Sequence, residues 1–212
     1  MVKVDDSQVI DIFEKEVSKY AGAKYGVAVS SNTNGIFLCL ELLKHINVLR
    51  QGDIIEIPKQ TYMSVPMTIL NVGCRVSFRD EKWSGAYRLE TSCTPYIYDS
   101  ATRFTKDMYV KDSLYVVSFQ YKKGIPIGRG GMILTDNEYF YTLLKKMCFN
   151  GRTNGVSQSE DKYVIRGWNM YLLPEQAARG LTLMTLLPEK NKDVAGYQDY
   201  PDLSTQEIFM ER

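Results

Sequence analysis

A chain of 212 residues, 44% apolar and 24% charged, has the balance of a folded globular protein rather than a disordered or fibrous one. Its 26 lysines and arginines nearly cancel its 25 acids, which argues against the one-sided basic footprint of a nucleic-acid or anionic-membrane binder. No apolar run approaches a bilayer span, the start MVKVDDSQ lacks a signal-peptide pattern, and Cys39, Cys74, Cys93 and Cys148 are too scattered for a metal site, so a cytoplasmic protein without structural zinc is expected.

In chain order, Ser7 can cap a helix in which Val9, Ile10, Phe13, Val17 and Tyr20 recur at helical spacing, and Gly22 ends it. Residues 25–29 read as a short strand, 30–33 as a polar turn and 35–46 as a mostly buried helix. The unit recurs: strand 53–58, helix 64–72, strand 74–78. Residues 80–94 are polar and weakly patterned, after which 95–100 form a brief strand carrying Asp99 near its end. Strand 113–119, a glycine loop and strand 131–135 follow. Residues 137–148 and 174–187 have helical periodicity, with Pro174 suited to a first turn, and 151–161 form a polar loop between them. This alternation predicts an α/β fold, a mixed and mostly parallel sheet flanked by helices, in one domain over residues 1–196 with 197–212 as a loose tail.

The stretch SFQYKKGIPIGRGG, residues 118–131, sets a lysine pair between an apolar strand and a glycine cluster. Such a lysine is either a solvated loop charge or an amine held at a strand edge as a covalent catalyst. His45, the only histidine, lies in an apolar helical segment, which leaves histidine-based triads without a candidate. Pyridoxal phosphate would require four parts, and each has a candidate. The SSNTNG turn at a helix start offers N–H groups and hydroxyls to a phosphate, and Asp99 offers a carboxylate to the ring nitrogen. Tyr62 in PKQTYMS offers a flat partner for the ring, and Lys123 an amine. Taken singly, SSNT is equally an ordinary helix cap, Asp99 an ordinary turn residue and Tyr62 one core tyrosine among fifteen.

The order of these motifs resembles the nucleotide-sugar aminotransferases of the DegT family, within the fold-type I pyridoxal-phosphate enzymes. FEKEVSKYAGAKYGVAVSSNT is similar to the family's approach to its phosphate turn, PKQTYMS to its Pro-x-x-Thr-aromatic stretch, and YDSA to its Asp-Ala-Ala segment. Ser118, Phe119, Lys123, Gly128, Gly130 and Gly131 fall into the register of its Ser-Phe-x-x-x-Lys and later Gly-x-Gly-Gly. The resemblance implies Lys123, not Lys122, as the Schiff-base residue, with Asp99 on the pyridine nitrogen and Tyr62 stacked on the ring. It also implies Asn32 and Thr33 at the phosphate turn, Ser118 as a further phosphate contact and Thr102 beside the ring. GWNMYLLPEQAARGL is similar to a stretch whose asparagine reaches the phosphate of a neighbouring subunit, which nominates Asn169 and implies a homodimer with shared active sites.

The implied activity is transfer of an amino group, with glutamate as donor, to a nucleotide-linked keto-sugar for surface polysaccharide or related glycan synthesis. Relatives that dehydrate sugars carry histidine in place of the lysine, so Lys123 favours transamination. Asn32, Thr102, Arg129 and Tyr171 depart from the family pattern, the region between Phe78 and Tyr96 is shorter than in relatives, and the sequence stops where their small C-terminal domain begins. A second expectation is therefore a non-catalytic or partner-dependent form of the fold that binds the cofactor or assembles with another subunit.

Overall fold

The computed structural model describes residues 6–92 and 94–210; Cys93 and the side chain of Ser7 lie outside the described residues. α1 (Asp6–Ala21) turns Phe13 and Val17 fully inward, and Gly22 ends it in the left-handed region at φ 86°. β1 (Tyr25–Val29) leads into α2 (Asn32–His45), which starts ahead of the apolar run because the Ser31 hydroxyl accepts the Asn34 N–H at 3.1 Å. β2 (Ile54–Pro58), α3 (Ser64–Asn71) and β3 (Arg75–Arg79) follow as expected. Within residues 80–94 lies β4 (Tyr87–Leu89), in which Tyr87 and Leu89 are buried and Arg88 is half-buried. Three residues are too few for that alternation to stand out as a period. β5 (Tyr96–Ser100), β6 (Ser113–Ser118), β7 (Gly131–Thr135), α4 (Glu138–Cys148) and α5 (Pro174–Met184) complete the described helices and strands.

The main sheet runs β1, β7, β6, β5, β4. β2 and β3 pair as a ribbon that meets the β4 end through two hydrogen bonds between the Glu56 and Glu90 backbones, 2.9 and 2.8 Å. The sheet is mixed, but the expectation of mostly parallel pairing needs correction. Among the described strands β5–β6 and β2–β3 are parallel, whereas β1–β7, β6–β7 and β4–β5 are antiparallel. Among the described residues the connections 90–95 and 119–130 carry no helix, so the chain returns without a crossover and reverses direction.

Helices cover both faces of the sheet, so all six residues of β6 are buried. Leu114 and Val116 join the core built with α2, α3 and α4, and Tyr115 and Val117 join the one built with α1 and α5. A Cβ at Gly35 would fall 2.6 Å from Val116 Cγ1, so the glycine lets α2 lie against β6.

Residues 197–210, expected as a loose tail, form three single 3-10 turns that pack on the body. Leu203 is fully buried, its N–H reaches the Lys59 carbonyl at 2.8 Å, and Phe209 meets Phe78 edge-on. No helix among the described residues is long and apolar enough to cross a membrane, and no cluster of three metal-ligating side chains occurs among them.

Candidate active site at the sheet edge

Register brings one end of the sheet together. Val29 on β1 opposes Gly131 on β7, Gly131 opposes Ser118 on β6, and Asp99 on β5 opposes Val116 on β6. The first turn of α2 sits on this edge; a Cβ at Gly131 would lie 2.7 Å from the Asn32 nitrogen, so only glycine permits the approach. The result is a cavity of about 450 Å³ lined by Asn32, Thr33, Tyr62, Asp99, Ser118 and Lys123, among others.

Asp99 forms the floor and is 4% exposed. Its Oδ1 accepts the Ala101 N–H at 2.9 Å and the Asn32 amide at 3.2 Å, and its Oδ2 accepts the Tyr87 hydroxyl at 2.8 Å. Burial raises its proton affinity above that of an ordinary aspartate, while these three donors and the positive charge of Lys123 act in the opposite direction. Tyr87 stays protonated, since burial and the neighbouring carboxylate push it well above the usual tyrosine value.

Lys123 rides on loop 119–130. Phe119 N–H to Gly130 O at 2.9 Å and Tyr121 N–H to Gly128 O at 3.2 Å close that loop, and buried Ile125 and Ile127 anchor it. Gly128 and Gly130 hold the positive φ values, 93° and 151°, that the turn demands. The loop separates the two lysines. Lys122 is exposed, with its ammonium 5.5 Å from the Tyr121 ring centroid, whereas Lys123 is half-buried in the cavity wall. Burial lowers the Lys123 value below that of an ordinary lysine, Lys122 adds to the effect, and Asp99 opposes it.

At the mouth, Tyr62 lines the cavity while 61% exposed. Ser118 is buried on the wall, and the Thr33 hydroxyl pairs with that of Ser64 at 2.8 Å. The first turn of α2 leaves the Asn32 and Thr33 N–H groups without intrahelical partners, as every helix start does.

Three expected residues are placed differently. The Asn32 side chain does not reach outward from the turn but folds under it onto Asp99 and the Val116 carbonyl. The buried Thr102 hydroxyl lies 3.0 Å from both the Gly85 and Ala195 carbonyls, outside this cavity and on a smaller one of about 150 Å³ that also meets Ser118 and Lys123, because it ties β4's approach to residues 193–196. Asn169 is exposed and not on this cavity; residues 168–170 run beside the end of α4, and the Met170 carbonyl accepts the Ser30 N–H at 2.7 Å.

Two tyrosines escaped the sequence reading. Tyr87 sits in the segment without pattern, and Tyr200, in the supposed tail, lines the cavity and stacks on Trp83 at 5.7 Å. Burial and the Asp99 charge raise Tyr200 to about 12. The first belongs to a strand too short to show a period, and nothing in the local sequence marks the second.

A family profile described as the DegT/DnrJ/EryC1/StrS aminotransferase family matches residues 4–84 and 108–196. The spore coat polysaccharide biosynthesis protein SpsC of Bacillus subtilis is 24% identical over 91% of this chain and 62% of its own length. Among solved structures, GDP-4-keto-6-deoxymannose-3-dehydratase with bound GDP-perosamine superposes with a TM-score of 0.70 at 21% identity, over 85% of this chain and 61% of that one. The same dehydratase with a trapped PLP-glutamate geminal diamine gives 0.68 at 22% identity, again over 85% and 61%. The chain thus spans roughly three-fifths of the relatives it matches.

Proposed function

From the premise that the chain belongs to the DegT/DnrJ/EryC1/StrS aminotransferase family, we propose that it is a pyridoxal-phosphate-dependent aminotransferase acting on a nucleotide-linked keto-sugar, with glutamate as amino donor. Its product would serve surface polysaccharide or related glycan synthesis in the cytoplasm. The observation that carries this reading is the meeting of a half-buried amine, Lys123, and a buried carboxylate, Asp99, in one cavity.

The residues present fit the cofactor. A carboxylate offers about four lone-pair sites, and Asp99 has three of them filled, which leaves one on Oδ2 for a ring N–H. The hydroxyls of Thr33 and Ser118 and the open N–H groups of the α2 turn suit a phosphate. When bound, the cofactor supplies an electron sink for the carbon that carries the amine. Asp99 would accept the ring N–H, Tyr62 would offer the ring a flat face, and Lys123 Nζ, with its lowered proton affinity, would hold the cofactor and carry the proton at the reacting carbon. Asn169, exposed and off its own cavity, would reach the phosphate site of a second copy across a two-fold axis.

Titration with pyridoxal phosphate tests the reading. A visible band is expected in the wild type and not in Lys123→Ala, with the cofactor-derived mass on the Lys123 peptide after borohydride reduction. A band retained in the variant overturns the assignment. Loss of the band on adding glutamate marks a transaminase. Its persistence would favour the binding-only alternative, for which the 61% exposure of Tyr62 at an open mouth speaks.

A further inference from the structure

We propose that Asn32 is a positioning residue: its side-chain amide fixes the Asp99 carboxylate and keeps it ionised, with Oδ2 left as the acceptor that faces the cavity. Only the benefit to a bound cofactor rests on the function proposed above; the contact itself does not.

Asn32 opens α2 and is 9% exposed. Its Nδ2 lies 3.2 Å from Asp99 Oδ1 and 3.0 Å from the Val116 carbonyl. Asp99 and Val116 are direct partners in the parallel pair β5–β6, so one amide spans two neighbouring strands and can satisfy both acceptors with its two hydrogens. The opposite amide orientation would set an oxygen against a carboxylate and a carbonyl, so the donor assignment is fixed by its surroundings. With the Ala101 N–H, the amide fills both sites on Oδ1. Tyr87 takes one site on Oδ2, and the other remains.

The groups facing Asp99 come from every element around it: Tyr87 from β4, Asn32 from α2, Lys123 from loop 119–130 and Tyr200 from the segment after Gly196. Both tyrosines are neutral through the physiological range, so Lys123 alone among these neighbours contributes a full charge. A buried carboxylate gains protons unless donors hold the charged form, and Asn32 is one of the three protein donors that do so.

The test needs no cofactor. The Asp99 Cγ resonance, assigned by its loss in Asp99→Asn, is followed by carbon NMR across the acid range in the wild type, Asn32→Ala and Asn32→Asp. The midpoint should rise by about one pH unit in Asn32→Ala and further in Asn32→Asp, where an acceptor replaces the donor. A merely space-filling residue would leave the uncharged and similarly sized Asn32→Leu, followed in the same way, close to the wild type, and that result overturns the proposal. Should any variant fold poorly, the wild type still decides. Its Asn32 side-chain amide signals should shift with the same midpoint as Asp99 Cγ, and amide signals indifferent to that titration also overturn it. If the wild type binds no pyridoxal phosphate, the proposed function falls while these resonances still judge Asn32.

Discussion

At Lys123 burial, aided by the charge of Lys122, favours the neutral amine, and the carboxylate of Asp99 favours the ammonium. Burial wins, so the amine is free of its proton at a lower pH than an ordinary lysine. Asp99→Asn removes the opposing charge and should move the midpoint for trapping Lys123 with a small aldehyde and borohydride to lower pH still. A midpoint that rises would contradict the balance described. Thr102 teaches a related point, since a hydroxyl can meet a ligand or two buried carbonyls, and burial decides for the carbonyls.

Among the elements, α1, β1 and α4 share a buried ionic junction. Glu14 on α1 is 4% exposed; its carboxylate accepts the Ala28 N–H at 2.8 Å and Lys145 Nζ from α4 at 2.8 and 3.0 Å. Replacing Lys145 with Met strands that carboxylate and should cost about 3 kcal/mol, the lower part of the range for broken buried pairs because Lys145 is partly exposed. Burial already raises Glu14 above the usual glutamate value, so the folded state binds that proton more tightly than the unfolded chain does. Its share of stability is therefore present at low pH and falls as pH rises past the unfolded value. The variant should accordingly lose more at about pH 7 than near pH 4, as read from urea midpoints. The double replacement Glu14→Leu with Lys145→Met should recover most of the loss, since no unpaired charge remains.

For the whole molecule the proposed homodimer has a direct consequence. If each site takes Lys123 from one copy and Asn169 from the other, mixing Lys123→Ala and Asn169→Ala proteins makes heterodimers with one intact site and one doubly altered. Random re-association should then restore about a quarter of the wild-type cofactor sites, measured by absorbance. No recovery on mixing would place Asn169 outside any shared site. Residues 197–210 act at this scale too, because they carry Tyr200 to the cavity and are pinned by Leu203.

Much was legible in the chain itself. Periodicity located the long helices and the buried strands, since a covered face imposes its spacing on the residues beneath it, as in β6. The resemblance of SFQYKKGIPIGRGG to the family's lysine loop nominated Lys123, which the structure sets in the cavity wall, and glycine positions marked turns that the backbone makes at positive φ. Tertiary structure alone decided the direction of β4 and β7, the inward turn of Asn32, the diversion of Thr102 and the arrival of Tyr200. Each of these depends on which distant groups share a buried volume, and a hydrogen bond between residues 67 apart, such as Asn32 to Asp99, leaves no local period to read.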